Sequence, residues 1–98
     1  MSWDTFAPRF TRVSTNQTDS AILSGATCRI YNIVCAANGG AGTVTLEKYG
    51  TTTVIATFEI LSGDTVVLGG NGFLADGGVQ VTTSANATCT VFHSGPGA

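Results

Sequence analysis

The sequence predicts an all-β fold: a single antiparallel β-sandwich, of jelly-roll or Ig-like type, with an extended N-terminal arm. Three observations carry that expectation. Polar and apolar residues alternate with period two in short runs, as in Thr43–Lys48, the mark of a half-buried strand. Clusters of Gly, Asn, Asp and Ser interrupt these runs at the spacing typical of sandwiches and barrels. No segment holds a helical period. At 98 residues the chain is one domain, divided here into an arm over 1–20 and a sandwich over 21–98.

Residues 1–10, MSWDTFAPRF, carry Trp3, Phe6 and Phe10 around Pro8 with little period. That is too much apolar surface to leave in water. The arm either folds back on its own sandwich or anchors on a neighbour, since aromatics serve both cores and interfaces. The segment lacks the basic start and apolar centre of a secretory signal, so the chain is expected to work where it is made or to leave inside a larger particle. Residues 14–24 read as a loop or short strand, because Ser and Thr disfavour helix there.

The longest strand spans Ala26–Ala37, with Cys28, Ile30, Val34 and Ala36 on one face and Tyr31, Ile33, Cys35 and Ala37 on the other. Two apolar faces in an antiparallel domain require a second covering layer, either a neighbouring subunit or the arm. Tyr31 and Ile33 therefore join Trp3, Phe6 and Phe10 as candidate interface residues. Asn38–Gly42 forms a loop. Thr43–Lys48 points Val44 and Leu46 inward, and Tyr49-Gly50-Thr51 turns the chain. Thr53–Leu61 then sets Val54, Ala56, Phe58 and Ile60 on one face, opposite Ile55, Thr57 and Glu59.

Ser62-Gly63-Asp64 is turn chemistry. Thr65–Leu68 is a strand, Gly69-Gly70-Asn71-Gly72 a break, and Phe73-Leu74 a plug beneath it. Asp76-Gly77-Gly78 leads into Val79–Thr83, and Ser84-Ala85-Asn86 into Ala87–His93. The last two strands are expected to pair as a hairpin, with Val79 and Val81 facing the same layer as Cys89 and Val91.

Charge is scarce: 10% of residues are Asp, Glu, Lys or Arg, against about 25% in an ordinary soluble domain. A domain this small cannot hide most of its surface. That surface is therefore neutral and hydroxyl-rich or covered by something else, which points to a subunit or binding module before an enzyme. The 43% hydrophobic content and mean hydropathy of +0.28 exclude disorder. The net charge is −2, and Arg9, Arg12, Arg29 and Lys48 are too few for a phosphate-binding stripe, so no nucleic-acid partner is expected. No apolar run approaches the length of a membrane-spanning helix, so no membrane partner is expected.

Cys28, Cys35 and Cys89 are odd in number and lack metal-ligand spacing. In one continuous strand, an offset of seven puts Cys28 and Cys35 on opposite faces, too far apart to bridge. Three small buried thiols are expected, which suits folding in a reducing cytosol.

No catalytic, cofactor-binding or metal-binding residue is expected. His93 with Ser94 or Ser84 and Asp76 composes a triad in name only, because no nucleophile motif accompanies it. Glu47 and Glu59 read as cross-strand neighbours on an open sheet face, not in the cleft a glycosidase requires. Asp4, Asp19, Asp64 and Asp76 form no calcium loop, and Gly69–Gly72 lacks the lysine and helix of a phosphate loop. The pairs Thr43/Thr45, Thr51/Thr53 and Thr88/Thr90 read as outer strand faces, where Thr is at home.

Gly42-Thr43-Val44-Thr45-Leu46, Ile60-Leu61-Ser62-Gly63-Asp64-Thr65, Gly72-Phe73-Leu74, Gly78-Val79-Gln80-Val81 and Ala87–Phe92 together carry a resemblance. In rhythm and composition they resemble small all-β virion proteins of tailed bacteriophages, most of all head decoration (cement) proteins. The resemblance covers about half the chain and contains no diagnostic motif. It implies a structural virion protein that assembles in the host cytoplasm as a homo-oligomer, a trimer being one form, and clamps the major capsid protein or another virion protein. It implies no catalytic residues. The other readings are a small tail or head–tail connector component, or a carbohydrate-binding or adhesion module using Trp3, Tyr31 or Tyr49.

Overall fold

The structure, a computed structural model, describes residues 9–22, 25–69 and 72–95. Its strands are β1 (Arg9–Val13), β2 (Ser20–Ile22), β3 (Cys28–Ala37), β4 (Gly42–Lys48), β5 (Val54–Ile60), β6 (Thr65–Leu68), β7 (Phe73–Ala75), β8 (Val79–Thr83) and β9 (Ala87–His93). One sheet runs β1-β9-β3-β6, with β7 also paired to β3; the other runs β2-β8-β4-β5. Every pairing is antiparallel.

The pairings are nested. β1 takes β9, β2 takes β8, β3 takes β6 and β7, and β4 takes β5. Rolling that long ribbon brings β9 against β3 and β8 against β4. This is the jelly-roll arrangement, with β6 and β7 sharing the place of one strand.

Period-two alternation buries one face of each sheet against the other. Val13, Ile22, Ile30, Ile33, Val44, Leu46, Ile60, Val79, Val81 and Val91 meet there with Cys28, Cys35 and Cys89. Among the described aromatics, Phe58 and Phe73 pack against this core while remaining partly exposed.

Several sequence expectations change. Residues Arg9–Val13 and Ser20 are not part of an arm: β1 is an edge strand on β9, and β2 an edge strand on β8. The sandwich thus begins by Arg9, and Trp3 and Phe6 lie outside the described residues. Val79–Thr83 and Ala87–His93 do not form a hairpin. Ser84-Ala85-Asn86 carries the chain from one sheet to the other, because each strand finds two long-range partners instead. Val79, Val81, Cys89 and Val91 still face one core. The sheets come close at this corner: a Cβ on Gly42 would lie 2.7 Å from the Ala87 Cβ.

The largest change is in β3. Its register against β9 shifts between Ile30, opposite His93, and Asn32, opposite Phe92. Tyr31 is therefore an extra residue, a β-bulge, and the alternation reverses phase beyond it. Cys28 and Ile30 point inward before the bulge; Ile33, Cys35 and Ala37 point inward after it. The two apolar faces read from the sequence are largely one inner face.

Opposite this bulge the partner strand breaks as well. β7 pairs with Cys28–Ile30 and β6 with Ile33–Ala36. Gly72 returns to β3 between them at φ +70°, where a Cβ would collide with the Ile30 carbonyl oxygen and sit 3.0 Å from the Tyr31 Cα.

Gly72→Ala is therefore expected to cost roughly 2–4 kcal/mol, combining backbone strain with a clash against main chain. Gly50→Ala has similar backbone (φ +73°) but open space around it, and is expected to cost only about 1 kcal/mol. Urea midpoints of the two variants test this; equal losses would contradict it.

Candidate interaction surface

The groups able to do chemistry are held apart. His93 is 4% exposed. Its Nδ1 accepts from the Gly95 N–H at 3.1 Å. A backbone N–H can only donate, so the ring proton sits on Nε2, which donates to Thr11 Oγ1 at 3.0 Å. Burial, and then the nearby Arg9 charge, hold this imidazole below its ordinary range. Asp76 accepts from Thr27 Oγ1, and Ser94 Oγ accepts from the Arg29 N–H. Among the described residues, the nitrogens of His93 are bonded to Thr11 and Gly95, not to a serine or an aspartate.

Glu47 and Glu59 are not opposite one another. Glu59 faces Thr43, while Glu47 faces Val54, a separation along the strand of about 13 Å. Glu47 belongs instead to a network around the buried Gln80 amide. Gln80 Nε2 donates towards Glu47 Oε1 and Asp19 Oδ1, each at 3.3 Å, and towards Thr51 O at 3.0 Å. Gln80 Oε1 accepts from the Gly50 N–H. Among the described residues no group of His, Cys, Asp or Glu is placed to hold a metal ion.

The surface is more informative. The outer face of the β2-β8-β4-β5 sheet is polar, presenting Thr43, Thr45, Glu47, Thr57, Glu59 and Thr82. The outer face of the β1-β9-β3-β6 sheet is not. In register across it stand Arg12, Thr90, Val34 and Val67. In the next row Phe10 faces Phe92, with ring centroids 6.1 Å apart. Phe10 is 67% exposed.

Apolar exposure concentrates at one side of the sandwich. β5 and β6 are edge strands that lie near each other there, each hydrogen-bonded to a single neighbour. Of nine large apolar or aromatic residues exposed in the described chain, six belong to β5, β6, β7 or the β5–β6 turn: Val54, Ile55, Leu61, Val67, Leu68 and Leu74. Leu61 is 69% exposed and Val67 58%. Soluble proteins blunt such edges with lysines, prolines or short strands. β6 has no charge, and β5 only Glu59. The opposite side is better protected, with Arg9 and Arg12 on β1 and only three residues in β2. Next to the apolar edge, Ile55, Phe73, Leu74 and Val79 line a groove of about 310 Å³ between the sheets, with Lys48 and Asp76 also on its wall.

The candidate interface residues fall differently. Phe10 and Tyr31 are exposed, Phe10 on the open face and Tyr31 on the bulge. Ile33 is buried: the phase reversal after Tyr31 turns it into the core, so it cannot contact a neighbour. The β5–β7 edge was not anticipated. Its signal is present as Val54-Ile55 and Val66-Val67-Leu68, where adjacent apolar residues break the alternation. Comparison with known protein families, characterised proteins and solved structures gives no match.

The lowered His93 value has a definite sign. Between the folded value and the ordinary one near 6.5, the unfolded chain binds more protons, so stability is lost as pH falls through that window. The urea midpoint is expected to be higher at pH 7.5 than near pH 5.5, with a smaller drop in His93→Gln. An identical pH profile in the two proteins would contradict this.

Proposed function

We propose that this chain is a structural subunit that acts by assembly, binding copies of itself and the subunits of a protein shell, in the manner of a phage head decoration (cement) protein. The observation that carries this reading is the apolar, nearly uncharged β5–β7 side. Covering it removes aliphatic surface from water, worth about 25 cal/mol per Å² buried. The free main-chain groups of an edge strand can also accept a further strand from a partner. The low charge of the whole chain fits, since charged residues are depleted in interface cores.

In this reading the open face bearing Phe10, Phe92 and Val67 is a second contact surface, and Trp3 and Phe6 remain candidate anchors on a neighbour. The mechanism is mechanical: each subunit adds buried area across the seams of a shell and resists its opening. A carbohydrate-binding role has less support, because Tyr31 lies on the β3 bulge and Tyr49 in the β4–β5 turn, giving no shared stacking platform.

Light scattering across a concentration series tests the self-association. The full chain is expected to form a discrete oligomer. Leu61→Glu and Val67→Glu, at exposed positions that leave the core intact, are expected to weaken association at least about tenfold, roughly the effect of losing one strong interface residue. A monomeric parent chain, or an oligomer that neither variant weakens, would remove the support for this reading.

A further inference from the structure

We propose that Cys35 and Cys89 form a built-in disulfide site, at which a low-molecular-mass disulfide oxidises the pair to a bond joining the two central strands β3 and β9. The sequence spacing sets Cys28 and Cys35 apart and says nothing of Cys35 with Cys89; the bulge at Tyr31 is what brings this second pair into register. Beyond the bulge Cys35 stands directly opposite Cys89 in the β3–β9 register. Both are 1% exposed and face the core. Their sulfurs are hydrogen-bonded at 3.7 Å, and both are free thiols.

Directly opposed residues of antiparallel strands have Cα atoms about 4.5 or 5.5 Å apart. Both values lie within the range that a disulfide spans. Bond formation thus needs side-chain rotation but no sliding of strands. Cys28 cannot take part. It shares the inner face but lies seven residues along β3, where its opposite residue on β7 is Ala75.

The chemistry is thiol–disulfide exchange. The Cys35 thiolate attacks one sulfur of the small disulfide, forms a mixed disulfide and releases one thiolate. Cys89 then gives up its proton and attacks the Cys35 sulfur, expelling the second thiolate. The protein loses two electrons and two protons, and the small disulfide becomes two thiols. The order of attack follows from the pair's own hydrogen bond. With both thiols protonated Cys35 donates to Cys89. Once Cys35 ionises, the Cys89 thiol can donate back to the Cys35 thiolate, which draws Cys35 down and pushes Cys89 up, and burial raises Cys89 further.

The test is to refold the reduced full chain from urea through a buffer of reduced and oxidised glutathione, so that access to the core does not limit the reaction. Intact mass and alkylation under denaturing conditions are then read. The expected product has lost two hydrogens, carries no glutathione and retains one alkylatable thiol, which peptide mapping places at Cys28. Cys28→Ala is expected to form the same bond, and Cys89→Ala to form none. Three free thiols at every glutathione ratio, a bond that includes Cys28, or stable glutathione adducts in place of the internal bond would overturn the proposal.

Discussion

One extra residue in the longest strand organises this molecule. Tyr31 interrupts the ladder between β3 and β9, and everything downstream on β3 changes face because side chains alternate with a period of two. That reversal gathers Cys28, Ile30, Ile33, Cys35 and Ala37 onto a single inner face, which lets a chain of this length close a jelly roll around one core. It also divides the neighbouring strand into β6 and β7, with Gly72 pressed against the main chain between them. The opposition of Cys35 to Cys89 is a further consequence of the same shift.

Closing the core in this way leaves the apolar surplus at the edges. A jelly roll of two short sheets has four edge strands, here β1, β2, β5 and β6, besides the short β7. Two of them are blunted by arginine or by brevity, and two are left apolar. Fold alone does not assign a function to such a molecule. What supports an assembling subunit is that its uncharged aliphatics lie together beside unpaired strand edges, while the buried histidine and the carboxylates of Asp19, Glu47 and Asp76 are occupied in separate structural networks.

Much of this could be read from the sequence, and the failures share one cause. Thr43–Lys48 and Ala87–His93 alternate cleanly and were legible as strands with Val44, Leu46, Cys89 and Val91 inside. Ile33 reads as a candidate interface residue because strict alternation assumes an unbroken ladder, and the break depends on the register of a strand more than fifty residues away. The β8–β9 pairing was expected from proximity along the chain, yet both strands have better partners far off in sequence. The exposure of Val67 and Leu68 was hidden for the same reason. Adjacent apolar residues such as Val66-Val67-Leu68 signal an apolar surplus, but that the surplus lies at an edge is a property of topology.

The most direct measurement of the central claim is the urea unfolding of two single-residue deletions in β3. Removing Tyr31 takes out the bulge residue and leaves Cys28, Ile30, Ile33, Cys35 and Ala37 in strict alternation. Removing Val34 either keeps the bulge and turns Cys35 and Ala37 away from the core, or loses the bulge and puts Asn32 in the inward place of Ile33. The chain lacking Tyr31 is expected to unfold cooperatively, at a somewhat lower midpoint than the parent, and the chain lacking Val34 is expected to show no cooperative transition. Equal loss of cooperativity in both, or a folded chain without Val34, would contradict the role given to the bulge.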